Sequence, residues 1–125
     1  MSAGDSGTNT WFGLFNDRAT SKEIARFKTT TNFQALAIAQ DNTANQKLLT
    51  GIIQTSNVIA YKDGTIQDTT AKSGSYTNSG VWIAANPTLS NLGDINIQEI
   101  IIFPSDKTAD LTELHAEINA YYTIY

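Results

Sequence analysis

Val58-Ile59-Ala60-Tyr61-Lys62-Asp63-Gly64-Thr65-Ile66-Gln67 decides the fold class. Two runs rich in β-branched and aromatic residues flank Asp63-Gly64. Aspartate and glycine readily take the positive φ angles of a tight turn, so the stretch predicts a β-hairpin. Upstream, Ile24, Arg26 and Lys28 alternate with Ala25, Phe27 and Thr29, the period of a strand with one wet face. Phe33 to Ala39 reads as a further strand, preferred over a helix from Asn32 to Gln40 because Thr29-Thr30-Thr31 precedes it and Asp41-Asn42-Thr43 follows it. Lys47 to Gln54 reads as another, with Gly51 as a candidate bulge.

Downstream, Val81-Trp82-Ile83-Ala84-Ala85 is a strand that Asn86-Pro87 stops, because proline withholds its amide from the ladder. Ile95 to Phe103 alternates and then runs apolar through Ile100-Ile101-Ile102-Phe103, which predicts a strand buried on both faces in its second half. Leu111, Leu114, Ile118, Tyr121, Tyr122 and Tyr125 fall on one helical stripe. They predict a terminal helix whose tyrosines pack onto the sheet, capped by Asp110 with Glu113 or by Thr108. Many short strands followed by one helix make an all-β, antiparallel β-sandwich with a C-terminal α-helix on its edge or end.

Composition agrees. The chain has 125 residues, 41% hydrophobic and only 16% charged, with Thr, Asn and Ser supplying the polar surface. Exposed faces of helical bundles normally carry Glu and Lys instead. The net charge of −4, with no basic block, makes nucleic acid and anionic lipid poor partners. The absence of cysteine rules out thiol catalysis, disulfides and thiolate metal sites. No apolar run approaches a membrane span. Met1 to Gly7 resembles neither a signal nor a transit peptide. Export would then use another route, such as lysis, or a signal on a longer parent chain. Residues 1–10 read as a flexible arm and 11–125 as one domain.

The Ala60-to-Thr65 hairpin, Val81-to-Asn86, Gly93-to-Phe103 and the terminal Ile118-to-Tyr125 together resemble a concanavalin A-like lectin/glucanase jelly roll of the laminin-G-like kind. The likeness covers residues 11–125 and is most specific over 93–125. Ala84 stands where that pattern often has glycine. Such domains usually carry more sequence at their N-terminus, so the resemblance implies that opening strands are missing and that sheet edges are left unpaired. Unpaired edges invite a second copy or a partner subunit. The family occurs in bacteriophage tail and virion proteins and in bacterial surface proteins. The implied function is a non-enzymatic virion module, a tail-fibre, tail-tip or capsid-decoration domain, located on a virion or extracellularly. The alternative is a carbohydrate-binding lectin module, and a glycoside hydrolase ranks below both.

Hydrolysis needs a carboxylate pair across a cleft. The family's closely spaced acidic run is missing, and Glu99 stands alone on its expected strand, better read as structural. His115, the one histidine, reads as a helix-surface or core-rim residue, since no nucleophile-elbow motif accompanies it. Glycans stack on exposed aromatic rings beside amide side chains. Tyr76, Asn78, Trp82 and Asn86 are the chosen candidates, with Trp11 and Tyr61 considered beside them. Calcium is the candidate metal, through oxygen ligands from Asp41, Asn42 and Asp94, although turn-forming Asx residues explain those positions as well.

Overall fold

The computed structural model describes residues 46–74 and 97–125 in full and, elsewhere, the backbone of five strands. Strands β1 (Ser2–Asp5), β2 (Thr10–Asp17), β3 (Lys22–Lys28), β4 (Phe33–Ile38) and β8 (Gly80–Trp82) form one sheet in the order β4-β3-β2-β1-β8. Strands β5 (Leu49–Ile53), β6 (Asn57–Lys62) and β7 (Thr65–Ala71) form a second, in chain order. Every pairing is antiparallel. The helix α1 (Leu111–Tyr122) follows a single 3-10 turn at Thr108–Asp110. Among the described residues the chain is thus mostly β with one C-terminal helix.

The hairpin forms where the sequence places it. Asp63 and Gly64 take φ +49° and +75°, the pair of left-handed conformations that matches the twist of the flanking strands. Asp63 also clamps the neighbouring strand. Its N–H donates to the Leu48 carbonyl and its carboxylate accepts from the Leu48 N–H, both at 2.9 Å. The ladder between β5 and β6 is regular through Gly51, which pairs with Ala60. The bulge expected at Gly51 lies instead on β7. There Ala60 pairs with Asp68 while Tyr61 pairs with Ile66, so Gln67 is the extra residue.

Strand β6 is the centre of the described core. Val58 and Ala60 are fully buried on one face, and Ile59 and Tyr61 pack with Leu111 of the helix on the other, with Ile52 beside them. Strand β4 runs close to β6 and β7, which brings the two sheets together. Two neighbouring strands satisfy the backbone of β6, so its apolar run can be buried on both faces without stranding a polar group.

Three expectations fail here. The N-terminal arm is not free at residues 2–5, since β1 pairs with β2 on one side and β8 on the other. Its small residues can enter a ladder because strand pairing uses main-chain groups. The strand expected over 95–103 is missing from the described part, 97–103, which belongs to no ladder. Its second half is exposed rather than buried, with Ile101 at 45%, Ile102 at 55% and Phe103 at 44%. An apolar run becomes a strand only where an edge accepts its main chain. Finally, Asp110 makes no side-chain cap. Its carboxylate takes a salt bridge from Lys107 at 3.1 Å. The Asp106 carboxylate instead accepts the Thr108 N–H at 2.9 Å, at the start of the 3-10 turn that precedes α1.

Helix α1 ends at Thr123, in the left-handed region at φ +54°, whose N–H donates to the Asn119 carbonyl. The Asn119 carboxamide oxygen then accepts the N–H groups of Ile124 and Tyr125 at 2.9 and 2.8 Å. These bonds fold the tail back, and the Tyr125 ring comes to rest against Gly64 at the hairpin tip.

Candidate functional site

The most enclosed polar group described is His115. Helix and sheet meet there. The residue is 5% exposed. Its ring shares a 3.0 Å hydrogen bond between Nε2 and the Thr50 hydroxyl of β5 and stands edge-on to Tyr61 of β6, centroids 5.5 Å apart. Thr50 and Tyr61 are cross-strand partners, so register delivers both to the same point on the sheet. Tyr125 closes the seam, its hydroxyl donating to the His115 carbonyl at 3.4 Å. Burial holds the His115 pKa below its ordinary value, because the imidazolium would lose its hydration there. Burial, followed by the nearby Asp63 charge, pushes Tyr125 up.

A hydroxyl beside an imidazole is the start of a nucleophile–base pair. Such a pair needs a third group to orient the ring, and no described carboxylate touches His115. The seam opens on one side into a shallow depression of about 450 Å³ between the hairpin tip and the start of α1. Tyr61, Thr65, Thr112 and His115 contribute to its walls. The arrangement suits a structural joint better than a reaction centre.

Polar contacts fasten the other end of the helix. Gln54, at the end of β5, donates from its amide nitrogen to the Thr108 hydroxyl at 3.0 Å and to Asp106 at 3.3 Å. The Thr108 hydroxyl itself donates to the Asp106 carboxylate. Hydrogen bonds from the Thr108 side chain and backbone hold the Asp106 carboxyl below its ordinary range.

A second surface lies across α1. Glu99, Ile101, Glu117, Ile118, Tyr121 and Tyr122 surround a depression of about 320 Å³. Tyr121 and Tyr122 meet edge to face, centroids 4.7 Å apart. The Tyr122 hydroxyl donates to Glu99, and that bond, with burial and the Glu99 charge, raises its pKa.

The structure redistributes the residues singled out from sequence. His115 lies deeper than a rim position. Tyr61 is core and offers no face to a sugar. Tyr121, expected to pack down, is 81% exposed, because its position turns it away from the sheet. Glu99 is beside the helix and not on a strand. Tyr76, Asn78, Asn86, Asp41, Asn42 and Asp94 lie outside the described residues. So do the side chains of Trp11 and Trp82, whose backbones are in β2 and β8. Among the described residues, no group of three metal-ligating side chains converges. No described helix is long and apolar enough to cross a membrane. Sequence reasoning missed Thr50, Glu117 and Asp106. Only Asp106 carried a signal, the Asp-Lys-Thr run whose first residue closes an Asx turn before a helix. Compared with known proteins, the chain matches no family model, no curated protein and no solved structure.

Proposed function

We propose that this chain is a non-enzymatic structural and binding module. It is a two-sheet sandwich of the concanavalin A-like jelly-roll type, working by contact with other protein subunits on the outside of a phage particle. One observation carries the contact role. Of the seven large apolar side chains exposed among the described residues, four gather on one stretch, Ile97, Ile101, Ile102 and Phe103, and Tyr121 lies beside Ile101, while Ile66 and Tyr125 lie elsewhere. Contiguous apolar surface of this kind marks protein contact sites. Both described depressions are open, and neither brings together a nucleophile, a base and an orienting group. The phage setting follows the resemblance of 93–125 to virion jelly rolls, and glycan recognition through Tyr76, Asn78, Trp82 and Asn86 remains an accessory part of the same proposal.

The test is sedimentation of the chain, alone and mixed with particle lysate fractions, alongside a polysaccharide-cleavage assay. Assembly with itself or with a particle subunit, and no cleavage, is the expected result. A stable monomer that neither assembles nor binds, with every strand protected from amide exchange, overturns the contact role. Cleavage abolished by Glu99→Gln overturns the non-enzymatic reading.

A further inference from the structure

The surface across α1 has a chemistry that names its partner. Ile101 and Ile118 give it an apolar floor, and Tyr121 and Tyr122 present perpendicular rings. Glu99 and Glu117 place two carboxylates at its rim. Glu99 accepts the Tyr122 hydroxyl, a neutral donor that leaves its charge standing. No basic side chain pairs with either glutamate among the described residues. Lys107, the cation on the adjoining turn, is committed to Asp110 at 3.1 Å. Its ammonium also stands 5.9 Å from the Phe103 ring centroid. The chain thus covers one exposed ring with its own cation and leaves the neighbouring pair, flanked by acids, without one. Aromatic faces and carboxylates both attract cations, and apolar floors take the methylene stems of lysine and arginine.

We infer that this surface docks a partner protein that presents an extended segment alternating lysine or arginine with apolar side chains. The inference rests on the reading of the chain as a contact module and names that partner's chemistry. Cationic heads sit between Glu99 and Glu117 over the Tyr121 ring, and apolar side chains cover Ile101 and Ile102. An extended partner fits because residues 97–103 lie outside any ladder, which leaves their main chain able to pair. A second copy of this chain is the less suitable occupant. Its matching surface brings the same two glutamates, and like charges would face each other across a two-fold contact.

The experiment uses the full chain and a fluorescent short peptide alternating lysine with valine, followed by anisotropy. A lysine–serine and a glutamate–valine peptide are the controls. The lysine–valine peptide is expected to bind, weakening with salt, while both controls bind poorly. Glu117→Gln and Tyr121→Ala alter exposed groups and leave the helix signal in circular dichroism intact. Each is expected to weaken binding by about tenfold, as loss of a paired charge or ring contact does. Equal binding of all three peptides, or binding untouched by both variants, overturns the inference and leaves the contact-module reading in place. A dimer of the free chain that Tyr121→Ala dissolves also overturns it, since a second copy would then cover the surface. Polysaccharide cleavage would end the module reading without altering the peptide result.

Discussion

Two apolar runs of similar composition meet opposite fates in this protein. Val58-Ile59-Ala60-Tyr61 is buried between two neighbouring strands and under α1. Ile100-Ile101-Ile102-Phe103 is the more hydrophobic of the two, yet it joins no ladder and its last three residues are exposed. Hydrophobicity supplies the drive to leave water in both. The difference lies in the main chain. Strand β6 has a turn at each end that returns a partner strand to its side, so its N–H and C=O groups are satisfied as its side chains are buried. The later run is followed at once by Pro104 and a helix, and no described hairpin brings it an edge.

The sharpest way to break this contrast is to remove the same atoms from both runs. Ile59→Ala should cost about 2–4 kcal/mol, through lost burial and the cavity left against Leu111. Ile102→Ala should stay within about 0.5 kcal/mol in the free chain, as exposed positions do. Urea titration of the two variants measures both. Equal costs would mean that the later run is buried in solution.

Acid is the next lever. The folded-state pKa of His115 is lowered, so the folded chain binds its proton less readily than the unfolded chain does. Stability is therefore full above the ordinary histidine pKa and falls as pH drops from there through the lower folded value. The groups facing the ring are Thr50, Tyr61 and the Tyr125 hydroxyl on its carbonyl, none of which offsets an added positive charge. Protection of the α1 amides, relative to their intrinsic exchange, should fall as pH drops below the ordinary histidine pKa, while His115→Gln should flatten that response. Residues 97–103 should exchange at the same low protection throughout.

Two smaller effects refine the picture of what fastens the helix. Thr123→Gly should stabilise by about 1 kcal/mol, because a β-branched residue at positive φ is strained and glycine is not. Thermal melts would register it as a modest upward shift. Asp106→Ala should fray the 3-10 turn that leads into α1 by removing its bond to the Thr108 amide and the anchor to Gln54, seen as faster exchange at the Thr108 amide. The lowered Asp106 pKa implies that the same fraying appears in the wild-type chain as pH falls through that lowered value, below the usual carboxylate range.

Much of the local structure was legible in the sequence. Asp63-Gly64 named its own turn, alternation marked β3, and helical spacing marked α1, all through interactions between near neighbours. The candidate site was legible only in part. Glu99 and His115 drew notice for their residue types, but their surroundings come from residues far along the chain. Thr50 reaches His115 through strand register. Glu117 is an ordinary exposed helix glutamate until Ile101 and Tyr121 are seen beside it. Asp106, not Asp110, accepts a backbone N–H there, because a 3-10 turn intervenes before the helix, a detail that spacing cannot register.

By itself, then, the sequence determined the hairpin, the helix and the mostly-β character, since φ preferences and periodicity act over a few residues. Tertiary structure decided which apolar run becomes core and which stays at the surface. It also turned the single histidine into a buried joint between helix and sheet. Both outcomes depend on whether distant segments arrive with main-chain partners and a dry face, and no local pattern encodes that arrival.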